Sequence, residues 1–160
     1  VQSTYEALGH AVSADDASLA LRGLRTLPLR LAQHGRNALA VAHWLSAHPQ
    51  VERVYCPGLP SDPGHALWQR DFSGHNGLLT VQFKDFSGAQ LNAFADALRL
   101  HAIGASWGGT RSLLATQEVA GERSAVPWTE PGTLLRVSIG LEDEADLWAD
   151  LSGLFDRLAA

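Results

Sequence analysis

The stretch 134–140, Leu-Leu-Arg-Val-Ser-Ile-Gly, limits the possible folds more than any other part of the sequence. Leu135, Val137 and Ile139 alternate with Leu134, Arg136 and Ser138, and a period of two puts successive side chains on opposite faces of a strand. The first set is wholly apolar and has to be covered by a packed layer. The second set carries a guanidinium. A chain with such a strand needs helices against at least one side of a sheet.

The remaining pattern supplies them. Gly77–Phe83 reads as a second strand with Leu79, Val81 and Phe83 on one face, and Val51–Tyr55 as a short third. Ser13 precedes a helix over 14–24, where its side chain can accept from the N–H of Asp16 and the acids of the first turn suit the helix dipole. A longer helix is expected from Thr26 to just before Pro49, with Pro28 tolerated near its start and Leu31, Leu39, Ala42 and Leu45 on its apolar side. Residues 87–98 form another, lined by Leu91, Phe94 and Leu98. A last helix over 144–158 carries Leu147, Trp148, Leu151, Leu154, Phe155 and Leu158 as a stripe, and residues 56–64 read as a turn-rich loop. Mixed helices and short strands predict an α+β fold with an antiparallel or mixed sheet. No internal repeat or long linker divides the 160 residues, so one domain is expected.

Composition excludes several classes of function. Net charge is −5, and 141–160 alone hold six acids against Arg157, so no basic face offers itself to nucleic acid. No apolar run reaches the ~18–20 residues that span a bilayer, and the N-terminal stretch has no signal-peptide pattern. Cys56 is the single cysteine, in keeping with a reducing cytoplasm. Methionine is absent even at position 1, which leads us to expect a processed chain or a piece of a longer one; Lys84 is the only lysine.

Gly104-Ala-Ser-Trp-Gly108 matches the G-x-S-x-G elbow of serine hydrolases, in which the histidine base follows the serine in the chain. The histidines are His10, His34, His43, His48, His65, His75 and His101, and none follows Ser106. The motif is then either a turn between two strands or a glycine-flanked loop where backbone approaches a ligand. The histidine spacings offer no metal site, and no glycine-rich phosphate loop is present. Arg136, fixed on a strand, suits bidentate binding of a carboxylate or phosphate; the competing reading is an arginine on a solvated strand face.

Four separated groups of residues occur in one order: Arg22–Arg30 with Gln33-His34; Pro63-Gly-His65 with Trp68 and Arg70-Asp-Phe72; Ser106-Trp-Gly-Gly109; and Leu135-Arg-Val-Ser-Ile-Gly-Leu-Glu-Asp143. Over essentially the whole chain they resemble the C-terminal part of the pyridoxal-phosphate-dependent enzymes of cysteine and methionine metabolism, and within them the cystathionine β-lyases. Trp107 sharpens the resemblance, because γ-synthase and γ-lyase relatives usually have a smaller aliphatic residue there. Thr110-Arg111 departs from it: relatives have an aromatic or small residue followed by Glu.

The resemblance implies the small C-terminal domain of a fold-type I aminotransferase-like enzyme, 1–160, with 1–25 as the end of the connection between domains. It implies a carbon–sulfur β-lyase that cleaves cystathionine to homocysteine, pyruvate and ammonia, in the cytoplasm, as a homotetramer built from dimers. Arg136 then corresponds to the arginine that grips the substrate α-carboxylate, and Ser106 and Trp107 to the segment lining the substrate pocket. Catalytic and cofactor-holding residues, the cofactor lysine included, are implied to lie in an upstream domain; Lys84 matches none of them. Two alternatives stay open: a γ-synthase, γ-lyase or cystine lyase of the same family, and a stand-alone α+β binding or assembly domain.

Overall fold

The computed structural model describes residues 1–9 and 12–158; His10 and the side chain of Leu158 lie outside the described residues. The chain divides into two compact units, Val1–Arg30 and Leu31–Ala160.

The first unit is helical. It contains α1 (Gln2–Ala7), α2 (Ala14–Leu24) and the first turn of α3 (Leu27–Ser46). Ser13 caps α2 as its sequence predicts, with Oγ accepting from the Asp16 N–H at 3.0 Å. At the other end of α2, Arg30 Nη2 donates to the Gly23 carbonyl at 2.8 Å, supplying a partner that a helix C-terminus otherwise lacks.

In the second unit a five-stranded sheet is built from β1 (Val51–Tyr55), β2 (Leu78–Phe83), β3 (Ala102–Ile103), β4 (Leu113–Gln117) and β5 (Thr133–Ser138). Helices α4 (His65–Asp71), α5 (Gly88–Ala95) and α6 (Glu144–Leu158) interleave with the strands. The spatial order is β1-β2-β5-β4-β3. β5, last in sequence, lies at the centre, antiparallel to both β2 and β4, and only β3 and β4 run parallel. The fold is α+β, with a mainly antiparallel mixed sheet.

The core lies on one side of that sheet. Leu79, Val81 and Phe83 of β2, Leu114 of β4, and Leu135, Val137 and Ile139 along β5 join one buried cluster with Leu91 of α5 and Leu147, Leu151, Leu154 and Phe155 of α6. Burying each such side chain contributes about 1.5–3 kcal/mol. Trp148 departs from the expected α6 stripe and stays 38% exposed, one position round from buried Leu147. Residue 87 opens α5 with a full capping box, Ser87 and Gln90 each satisfying the other's backbone N–H.

The buried side of α3 also differs from expectation. Ala42 and Leu45 are buried, but Leu31 is 45% exposed, and the buried stripe instead includes His34 and Asn37. Both polar residues are tied to backbone that follows β5: His34 Nδ1 lies 2.8 Å from the Ile139 carbonyl oxygen, and Asn37 Nδ2 donates to the Glu142 carbonyl at 3.0 Å. An apolar periodicity passes over polar residues that are buried because a distant strand offers them partners.

Four elements, α1, α4, β3 and β4, have no counterpart in the sequence reading. Among the described residues, no helix is long and apolar enough to cross a membrane.

Candidate functional site

The side of β5 turned away from the core is not a solvated face. Leu134 and Ser138 are buried and Arg136 is half-buried. Arg136 and Ser138 meet the loop between β3 and β4, residues 104–112, which carries the G-x-S-x-G motif, whereas Leu134 borders Val119 and Trp128. The motif does lie between two strands, as the first of its two sequence readings has it.

Arg136 stands opposite Thr80 of β2 and Ala115 of β4, in the middle of the sheet. Its Nη2 reaches the loop, 3.3 Å from the Gly104 carbonyl oxygen, 2.8 Å from that of Ala105 and 3.1 Å from that of Ser106. Its Nε is buried and has no partner among the described residues. Nor does any carboxylate pair with it: the ion pairs among the described residues are Arg70–Asp71, Lys84–Glu52 and His101–Asp150. Among the described residues, the guanidinium charge is therefore met by carbonyl dipoles at Nη2 alone, while Nε and Nη1 make no hydrogen bond. A buried, unsatisfied donor on a permanently charged group is costly, and a bidentate anion is the partner that removes the cost.

Ser106 and Trp107 lie beside that charge. The Ser106 side chain has no hydrogen-bond partner among the described residues, and Trp107 is 63% exposed, so both are free to meet a ligand. The next residue, Gly108, has φ +75°, a left-handed conformation that favours glycine, and its N–H donates to Ser138 Oγ at 3.2 Å. Farther on, the Thr110 carbonyl accepts from the Leu141 N–H at 2.9 Å, and Ser112 Oγ accepts from the Gly140 N–H at 2.8 Å. Ser112 is held in turn by Glu142, whose carboxylate accepts from its N–H at 2.6 Å and its hydroxyl at 2.9 Å.

These contacts explain the alternation in 134–140. Leu135, Val137 and Ile139 serve the core. Arg136, Ser138 and Gly140 serve the loop: Arg136 holds 104–106, Ser138 holds 108, and a side chain at Gly140 would run into the Thr110 carbonyl. Ser138 and Gly140 were not singled out from the sequence, although they share Arg136's parity, the one signal that could have marked them.

The entrance to the loop is fixed from α6. Asp150 accepts from the backbone N–H groups of Arg99, Leu100 and His101 at 2.8, 3.0 and 3.0 Å, and its Oδ2 lies 2.9 Å from His101 Nδ1. Burial pushes the His101 imidazole below its ordinary value, outweighing the Asp150 hydrogen bond and the nearby carboxylate charges. Burial works to raise Asp150, but the N–H groups around it prevail and hold it below the ordinary carboxylate range. The pair is thus a neutral imidazole donating to a carboxylate. Thr110-Arg111 also contributes here, with Arg111 Nε donating to the Leu100 carbonyl at 3.3 Å.

The family profile of the Cys/Met metabolism PLP-dependent enzymes matches residues 1–156. The chain belongs to this family. Within it, a cystathionine beta-lyase of Bordetella avium is 51% identical over 98% of this chain and 39% of that protein. Cystathionine beta-lyase MetC of Escherichia coli K12 is 43% identical over 94% of this chain, again 39% of its length. A crystal structure of cystathionine gamma synthase from Xanthomonas oryzae pv. oryzae, in complex with aminoacrylate and cysteine, superposes with TM-score 0.80 at 38% identity, covering 96% of this chain and 41% of that one. The chain thus spans about two fifths of the relatives it matches.

Members of this Cys/Met metabolism family depend on pyridoxal phosphate. The residues described here do not fit the covalent hold of that cofactor. Lys84, the only lysine, donates to the Pro49 carbonyl at 3.2 Å and lies 3.8 Å from Glu52. It follows Phe83, which faces Thr133, whereas Arg136 faces Thr80. Four residues of strand, about 13 Å, separate the two positions. What the unpartnered guanidinium donors of Arg136 do fit is an anion.

Proposed function

We propose that this chain is the substrate-binding C-terminal part of a pyridoxal-phosphate-dependent carbon–sulfur β-lyase, which with water converts cystathionine to homocysteine, pyruvate and ammonia. The observation that carries the reading is Arg136: a half-buried guanidinium that, among the described residues, has an unpartnered Nε and no ion-pair partner, fixed in mid-sheet beside Ser106 and Trp107. In the proposed enzyme Arg136 binds and orients the substrate α-carboxylate. Ser106 and Trp107 form one wall of the pocket along the thioether, where the indole excludes water. The likeness to cystathionine beta-lyases at 43–51% identity supports the β-lyase over the γ-acting relatives.

The cofactor's attachment and the proton-transferring lysine belong, in this proposal, to an upstream domain of the same cytoplasmic enzyme, assembled as a homotetramer. Residues 1–160 on their own then neither hold pyridoxal phosphate nor turn over cystathionine. A stable cofactor absorbance in this chain that is lost on Lys84→Ala would overturn that.

The decisive experiment is Arg136→Ala in the full-length holoenzyme. Loss of a charge partner for the carboxylate costs about 2–5 kcal/mol of substrate binding, seen as a raised KM and a lowered kcat/KM with cystathionine. Unchanged kinetics would remove the assignment. Product analysis completes the test: pyruvate identifies a β-lyase, and 2-oxobutyrate a γ-acting enzyme.

A further inference from the structure

Arg136 reaches the 104–106 carbonyls on one side of Trp107, and Ser138 Oγ receives the Gly108 N–H on the other. Trp107 is thus the exposed residue between two anchors that both stem from β5. Ser138 is itself 1% exposed, with its hydroxyl directed at the loop rather than at solvent. The two anchoring residues are two apart on one strand, so strand geometry places their Cα atoms about 6.6–6.8 Å apart. Gly108 adds the reason an anchor is needed: at φ +75°, apart from its chain neighbours, no atom lies within 4 Å of where a Cβ would stand, so nothing packs on that side of it. Among the described residues, the Ser138 hydroxyl is the hydrogen-bond partner that the Gly108 N–H has.

We propose that Ser138 is a positioning residue for Trp107: through the Gly108 N–H it fixes the loop so that the indole stands at a set distance from the carboxylate held by Arg136, and in this way selects thioether amino acids by the length of chain between their carboxylate and their sulfur. Ser138 touches neither substrate nor cofactor. The proposal rests on the reading of Arg136 as the carboxylate site, and it adds a residue that determines specificity through that site.

Full-length holoenzyme carrying Ser138→Ala, Ser138→Thr or Ser138→Cys is assayed with cystathionine, alone and in combination with Trp107→Ala. Cofactor absorbance and thermal midpoint are followed in each. Losing one backbone hydrogen bond raises the cystathionine KM of Ser138→Ala about fivefold with kcat and cofactor absorbance nearly unchanged. Ser138→Thr, which keeps the hydroxyl, restores it; Ser138→Cys, a weaker acceptor of similar size, falls between and serves should the alanine variant fail to fold. In the Trp107→Ala background the same substitutions change KM less than about twofold, because the residue they position is gone. A merely structural serine would instead lower the thermal midpoint and act additively with Trp107→Ala, and that result overturns the proposal, as does a wild-type KM in both Ser138→Ala and Ser138→Cys. Unchanged kinetics in Arg136→Ala is a separate outcome: it removes the carboxylate site, and the positioning role falls with it.

Discussion

Arg136 Nη2 lies 2.8 Å from the carbonyl oxygen of Ala105, joining the central strand of the sheet to a loop that combines an exposed serine and an exposed tryptophan. The same guanidinium holds the loop and, in the proposed function, also binds an anion. Only a planar fork with several donors can do both at once.

Arg136→Lys separates the two tasks. A lysine ammonium is a single point that can bond the 104–106 carbonyls or a carboxylate, but cannot span them. Charge is conserved, yet kcat/KM of the full-length enzyme is expected to fall at least about tenfold. Near-native kinetics in this variant would show that charge alone suffices.

Asp150 tests the approach to the loop. Its carboxylate accepts from three backbone N–H groups and faces His101 Nδ1, all in the turn that leads into β3. Asp150→Ala leaves those donors without their acceptor and is expected to cost about 2–4 kcal/mol. Urea unfolding measures it. Hydrogen exchange at Arg99–His101 should quicken before exchange in β2 or β5 does.

Stability should also depend on pH in a definite direction. His101 is held below its ordinary value of 6.5 by burial, so the unfolded chain takes up a proton near 6.5 while the folded chain does not. That contribution is complete above 6.5 and is lost as pH falls through the folded value; His48, lowered by burial as well, acts in the same sense. Asp150, held below 3.8, adds stability above 3.8 that disappears only at lower pH. Urea midpoints should therefore decline from pH 7.5 to 5.5, and His101→Gln should flatten the decline. A midpoint that rises on acidification would mean that the imidazolium–carboxylate attraction outweighs burial.

Gly140→Ala tests the alternation of 134–140 at its end. An added Cβ would meet the Thr110 carbonyl oxygen and the Glu142 carboxylate, two groups that hold the far end of the loop. Overpacking of this kind costs about 1–3 kcal/mol, to be read from thermal or urea unfolding. A neutral substitution would show that the loop can move away freely.

Cys56 should be inert in the folded protein. It is fully buried, with Sγ 3.2 Å from His75 Nε2, and burial pushes its thiol up. Labelling by a disulfide reagent is expected to be at least about a hundredfold slower in buffer than in denaturant. Equal rates would place the thiol in contact with solvent.

The sequence was most legible where one residue's neighbours in the chain are also its determinants. Ser13 before two acids announces a helix cap; Leu79, Val81 and Phe83 announce a strand face; Arg136 between Leu135 and Val137 announces a charge on the opposite side. It was least legible where partners are remote. Ala102–Ile103 is too short to show a period, Leu113–Gln117 does not alternate, and His34 and Asn37 are buried only because carbonyls at 139 and 142 meet them. Trp148 fits the helical stripe of α6 by spacing yet stays 38% exposed, beside buried Leu147.

By itself, then, the sequence determined the α+β class, the two faces of the strand at 134–140 and the presence of an arginine on one of them. Those properties follow from backbone periodicity, which acts between near neighbours. Tertiary structure alone decided that β5, last of the strands in the chain, becomes the central strand, and that the loop at 104–112 lies across its charged face. Which carbonyls surround Arg136, and which hydroxyl holds Gly108, depends on chain segments some thirty residues apart meeting at hydrogen-bonding distance. A hydrogen bond has a range of about 3 Å and no memory of sequence separation, so only the folded arrangement can say where it forms.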